Sequence, residues 1–189
     1  GCSRRQRQMC IRDSIDTAPD FLLSLNNVLK NHGRDEITIE QIRPHISEGS
    51  SKLIKFFFDI DYENKNFEFF KDEFLSEYEL NLTKNSKLFD GIGNLIKFLD
   101  TNSIMYGVVT NKFYEYTEPI LKYFKELKNI KVVICPDHVN ISKPDPEGII
   151  LACKKLNTQA SDTIYLGDHE NDIRAGISAG AKVLGCLYG

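Results

Sequence analysis

An α/β fold, a doubly wound parallel sheet carrying a small all-helical insert near the N-terminus, is what this sequence predicts. Three observations carry the prediction. From Leu88 onward, short apolar strands alternate with helices, the pattern of a parallel sheet covered on both faces. From Ala18 to about Asn85 the periodicity is helical throughout. The length, 189 residues, accommodates one ordinary domain with a small insert.

Taken in order, residues 1–13 (GCSRRQRQMCIRD) show neither helical nor strand periodicity, and the composition changes near Ser14. No well-packed central strand is expected there. Phe21, Leu22, Leu25, Val28 and Leu29 form an apolar stripe, and Gly33 marks its stop. Thr38-Ile39-Glu40-Gln41 fits a capping box opening a short helix that Pro44 interrupts. Ser50 or Ser51 is a candidate cap for a third helix bearing Leu53, Ile54, Phe57 and Phe58. Phe67, Phe70, Phe74 and Tyr78 recur at spacings of three and four, a packed helix face. The alternation then runs helix 93–100, strand 104–110, helix 116–127, strand 131–135, helix 147–156, strand 163–166, helix 170–179 and strand 182–187. The expected division is a core of residues 1–17 and 86–189 and a helical cap of residues 18–85. The chain ends straight after a strand, as a truncated end would.

Composition narrows the function classes. A hydrophobic fraction of 41% and a charged fraction of 27% are those of a globular protein. A net charge of −3 argues against a general nucleic-acid binder. No apolar run approaches the roughly 20 residues that span a bilayer. Arg4, Arg5 and Arg7 are followed by no apolar stretch, so they open no secretory signal. The five cysteines, Cys2, Cys10, Cys135, Cys153 and Cys186, are odd in number and form no C-x-x-C pair. Reduced thiols in a cytoplasmic protein are therefore expected, with Cys135 and Cys186 in the core. Gly91-Ile92-Gly93 lacks a third glycine and follows no strand, so it is no dinucleotide fingerprint.

Candidate chemistry gathers at three places, each just past the carboxyl end of a strand or in the loop opening a helix, where open α/β sheets bind ligands. Val108-Val109-Thr110-Asn111 ends a strand with a hydroxyl and an amide suited to phosphoryl oxygens. Ser142-Lys143-Pro144-Asp145-Pro146 stiffens a loop around a lysine that can act as a point charge. Gly167-Asp168 and Asp172, one helical turn on, bring two carboxylates toward one space. Such a pair favours a hard cation such as Mg²⁺, with waters and substrate phosphate completing its shell. Each feature alone also has a plain structural account: a strand end, a surface lysine, a helix cap with first-turn charge. Together they match phosphoryl transfer, which needs charge neutralisation and positioning.

Thr110-Asn111, Lys143-Pro144 and Gly167-Asp168-x-x-x-Asp172 resemble, in order and spacing, the second, third and fourth motifs of haloacid-dehalogenase-like hydrolases. The segments Ile15–Phe21 and Arg43–Ser50 look like the cap entry and substrate loop of that family's phosphoglycolate phosphatase branch. The resemblance implies a Mg²⁺-dependent phosphomonoesterase working through an aspartyl-phosphate on a small phosphorylated metabolite. A sugar phosphate such as N-acetylmuramic acid 6-phosphate is the alternative substrate. Thr110 and Asn111 would serve the phosphoryl oxygens and Lys143 its charge. Asp168 and Asp172 are the expected metal residues, with Asp172 assisting or orienting Lys143. A receiver domain, which also has Thr and Lys-Pro on a parallel sheet, would place its acidic pair earlier and lack the insert.

The family's first motif, D-x-D-G-T-[LV]-x-D-[ST], is not present. Anchored on Asp16-Thr17, it places Met9 at the nucleophile and Ile11 at the acid/base, with Arg12-Asp13 for Gly-Thr. Residues 1–14 resemble translated adapter DNA joined to a gene fragment, so the expectation is an enzyme-derived chain that is inactive as written. A non-catalytic phosphate-binding protein is the other reading.

Overall fold

The computed structural model describes residues 14–187, and the backbone of residues 8–11. The chain divides into two units, Gly1–Ile15 with Leu88–Gly189, and Asp16–Lys87. Each boundary lies two residues from the expected one. The chain passes between them at β2 (Ile15–Asp16) and β3 (Lys87–Leu88), which form a two-stranded sheet.

The contiguous unit holds α1 (Ala18–Asn31), α2 (Ile39–Ile46), α3 (Ser50–Phe58) and α4 (Phe67–Asn81). The Gln41 side chain accepts a hydrogen bond from the Thr38 N–H (2.8 Å), so the predicted capping box is in place. Pro44 lies inside α2 rather than ending it, and the helix runs only two residues further. Neither serine caps α3: Gly49 occupies that position and Ser50 and Ser51 are its first helical residues. The apolar stripes meet inside this unit. Phe21 stacks near Tyr78 (centroids 4.1 Å) and Phe74 (5.9 Å), and Phe58 stacks on Phe70 (4.3 Å). Phe67 and Phe74 are buried and Phe70 is half-buried. Each fully buried side chain of this size contributes about 1.5–3 kcal/mol. The buried Asp20 carboxylate accepts from the N–H groups of Asn85 (2.6 Å) and Ser86 (3.1 Å) and from the Ser86 hydroxyl. Three donors offset the desolvation of a charge that would otherwise be costly.

The second unit contains β1 (Gln8–Ile11), α5 (Ile92–Thr101), β4 (Tyr106–Val109), α6 (Tyr114–Tyr123), β5 (Val132–Ile134), α7 (Glu147–Lys155), β6 (Thr163–Gly167), α8 (Glu170–Ser178) and β7 (Lys182–Gly185). Its sheet has the order β5-β4-β1-β6-β7, all pairs parallel. This corrects the expectation for the N-terminal residues. Gln8–Ile11 is a central strand, with Met9 opposite Tyr106 on one side and Ile164 on the other. The backbone groups of β4 and β6 need a partner between them, and that demand outweighs a weak side-chain pattern. Beyond Gln8–Ile11, the expectations for residues 1–7 and 12–13 lie outside the described residues. The core joins Val109, Val132, Ile134, Ile149, Ala152, Cys153, Tyr165 and Ala175. Cys135 is buried as expected, and Cys186 is half-buried. Among the described residues, no helix is long and apolar enough to cross a membrane.

Candidate active site

The parallel sheet sends the ends of β4 and β6 to the same edge, and the loop before α7 crosses beside them. Alternation along β6 buries Thr163, Tyr165 and Gly167 on one face. At Gly167 the strand meets α8 so closely that an added Cβ would lie 2.3 Å from the Asp172 Cβ. His169 opens α8, its Nδ1 accepting from the Asn171 N–H (3.2 Å), so the cap is this histidine and not Asp168.

Lys143 is the centre of the arrangement. Its side chain is 1% exposed and that of Asp172 is 0% exposed. The ammonium Nζ donates to Asp172 Oδ1 (2.7 Å), to the Val109 carbonyl (2.7 Å) and to the Tyr165 hydroxyl (3.1 Å). The Tyr165 hydroxyl donates in turn to Asp172 Oδ1 (3.0 Å). Among the described residues these are the three acceptors of its N–H bonds.

The loop that carries Lys143 is braced from two directions. Asn111 Nδ2 donates to the Lys143 carbonyl (3.0 Å), and the Lys143 N–H donates to Asn111 Oδ1 (3.2 Å). The Asn111 amide is thus turned to the lysine's own backbone, not to the phosphoryl oxygens it was expected to serve. Glu147 accepts from the N–H groups of Asn140 (3.0 Å) and Ile141 (2.9 Å). Those backbone donors hold its carboxyl below the usual carboxylate range. Asp145 Oδ1 accepts from the Glu147 N–H (2.9 Å) at the start of α7.

Thr110 follows Val109 directly. Its N–H donates to the Ile134 carbonyl (2.9 Å), and its Oγ1 accepts from the Lys112 N–H (3.1 Å). A hydroxyl used as acceptor keeps its proton to donate. Burial pushes the neighbouring Cys135 thiol up, so it stays protonated near neutral pH. Asp168 is exposed, and its carboxylate has no hydrogen bond among the described residues. Asp172 is instead bound to Lys143 and Tyr165. Of the two expected metal carboxylates, one is open and the other is turned to the lysine. Among the described residues no group of three His, Cys, Asp or Glu side chains could hold a metal ion. Asp168 alone does not fit the magnesium site that the family implies, and Met9 and Ile11 supply no carboxylate to complete it.

Tyr165 is the residue that sequence reasoning missed. It read as one apolar member of a strand, and its one signal is a hydroxyl two residues before Gly167 on the buried face.

Gly167→Ala tests this packing. The added methyl cannot coexist with the Asp172 Cβ, so α8 must shift and the Lys143–Asp172 contact open. The expected loss is about 2–4 kcal/mol of stability, read from chemical denaturation. An unchanged midpoint would contradict the close approach.

A parallel sheet with a helical insert and these three loop motifs defines a hydrolase class. Residues 15–186 match the family described as haloacid dehalogenase-like hydrolase, and the chain belongs to that family. Among its relatives, the N-acetylmuramic acid 6-phosphate phosphatase of Pseudomonas putida is 37% identical over 175 residues, 93% of this chain and 78% of the relative. The phosphoglycolate phosphatase of Xanthomonas campestris pv. campestris is 32% identical over 176 residues, 93% of this chain and 79% of the relative. A crystal structure of a predicted phosphoglycolate phosphatase from Haemophilus somnus superposes with a TM-score of 0.86 at 24% identity. That match covers 98% of this chain and 86% of the other.

Proposed function

We propose that this chain derives from a Mg²⁺-dependent phosphomonoesterase for a small phosphorylated metabolite, keeping its phosphoryl-binding residues and only one carboxylate, Asp168, of its metal site. Phosphoglycolate and N-acetylmuramic acid 6-phosphate are the candidates the relatives suggest. The observation that carries the reading is the fixed Lys143 ammonium, 2.7 Å from the carbonyl that precedes Thr110. A positive charge is thereby held against the residue that precedes Thr110, whose hydroxyl keeps its proton to donate. That combination suits a phosphoryl group, whose charge lies on its peripheral oxygens. Lys143 neutralises that charge, Thr110 donates to an oxygen, Asn111 fixes the lysine loop and Asp172 orients the ammonium. Asp168 is left facing outward as the carboxylate for a cation.

Met9 and Ile11 add a second reading: the chain as it stands binds phosphate without turning it over. A thioether and an alkyl chain offer no nucleophile for an aspartyl-phosphate route.

Both readings require an anion site. Inorganic phosphate binding, followed by isothermal titration calorimetry, should be weakened roughly five- to tenfold by Thr110→Val, the ratio for losing one hydrogen bond. A chain that ignores phosphate at millimolar concentration, or binds it equally well without the Thr110 hydroxyl, would rule out the assignment.

A further inference from the structure

We infer that Tyr165 is a positioning residue for Lys143, holding one of its N–H bonds in reserve until an anion arrives. The inference about the anion rests on the phosphoryl site proposed above; the inference about the lysine rests on geometry alone. The Tyr165 side chain is fully buried, yet its hydroxyl lies between the two charged groups of the site. It accepts from Lys143 Nζ at 3.1 Å and donates to Asp172 Oδ1 at 3.0 Å. The ring has little room to move. A Cβ placed on Gly176 would lie 3.3 Å from Tyr165 Cδ1, and one placed on Gly167 would lie 3.5 Å from its Cε1. Two glycines therefore make the slot that aims the hydroxyl.

The three acceptors that Lys143 has among the described residues are not equivalent. The Asp172 carboxylate is charged, and the Val109 carbonyl is fixed in the backbone; each contact is 2.7 Å. The phenol is neutral and its contact is the longest. A charge-assisted hydrogen bond is roughly twice as strong as a neutral one. A phosphoryl oxygen that takes an N–H from Lys143 therefore displaces the phenol at least cost. Released from that bond, the Tyr165 hydroxyl keeps its own donation to Asp172. In the absence of anion it keeps the ammonium from turning to a competing acceptor. No covalent step is involved.

The test is nuclear magnetic resonance of the Lys143 ammonium in the intact chain, assigned by the loss of its signal in Lys143→Arg. Tyr165→Phe keeps the ring and removes one oxygen. The Lys143 ammonium should then shift and exchange its protons about fivefold faster, the ratio for losing one net hydrogen bond. Uniform 3-fluorotyrosine labelling keeps both hydrogen bonds but weakens the phenol as an acceptor. It should move the same resonance with the fold unchanged, and so covers a Tyr165→Phe chain that fails to fold. Added inorganic phosphate should shift the Lys143 signal of the native chain. In Tyr165→Phe the phosphate Kd should rise by roughly threefold to tenfold as the ammonium loses its preset orientation. A Lys143 signal indifferent to both the phenylalanine and the fluorotyrosine overturns the inference. A signal that responds to them in a chain that ignores phosphate supports the positioning role and removes the phosphoryl assignment instead.

Discussion

Asp172→Ala is expected to lower the unfolding free energy by about 3–5 kcal/mol, the cost of stranding a buried charge. Little water reaches Lys143 to replace the lost carboxylate, since its side chain is 1% exposed. Among the described residues it would keep the Val109 carbonyl and the Tyr165 hydroxyl, and the bond from that hydroxyl to Asp172 would be lost. Asp172→Asn keeps an oxygen there and should cost less. The decisive comparison is the double variant Lys143→Met, Asp172→Leu, which removes both charges and refills the volume. It should be more stable than Asp172→Ala, because replacing a whole buried ion pair is often neutral. Urea denaturation of the set checks this. A loss below about 1 kcal/mol for Asp172→Ala would mean that water reaches the pair.

Catalysis should appear when the first motif is rebuilt. With Met9→Asp, Ile11→Asp, Arg12→Gly and Asp13→Thr, the chain regains the carboxylates that the family uses. One would attack phosphorus as the ester oxygen leaves; the other would protonate that oxygen and later activate the water that frees phosphate. Hydrolysis of a generic aryl phosphate with Mg²⁺ should rise at least about a thousandfold over the chain as written. Mg²⁺ affinity should rise with it, since Asp168 would gain a second carboxylate ligand. Turnover by the unmodified chain that is lost on Asp168→Asn would defeat this account. So would a rebuilt chain that folds, binds Mg²⁺ and remains inert toward every small phosphomonoester tried.

The core was legible where one residue type decides one level of structure. Val108-Val109 and Val132-Val133-Ile134 are short β-branched runs, and they became β4 and β5. Phe67, Phe74 and Tyr78 repeat at helical spacing, and they are the buried side of α4. Lys143 and Asp172 stood out because charges in tight loops and first turns are conspicuous in sequence. What could not be read was direction. Asn111 read in sequence as a group for phosphoryl oxygens, and only the fold turns its amide onto a backbone 32 residues away. Tyr165 sat in an apolar strand, and nothing local says that its hydroxyl meets two charges from two other elements. Gln8–Ile11 was obscure for the opposite reason: the force that orders it comes from its two neighbours, not from its own pattern.

That central strand also sets the order in which the molecule can be assembled. As a ribosome makes the chain, Gln8–Ile11 emerges before both of its partner strands. Its partners Tyr106 and Gly107 follow only after the whole of Asp16–Lys87, and Thr163–Leu166 later still. The helical unit is contiguous in sequence, and contiguous helical segments fold early and fast. The strand pairings close long loops and belong to the slow end of folding. Assembly of the sheet, and with it the Lys143–Tyr165–Asp172 cluster, must wait until translation has passed Gly185.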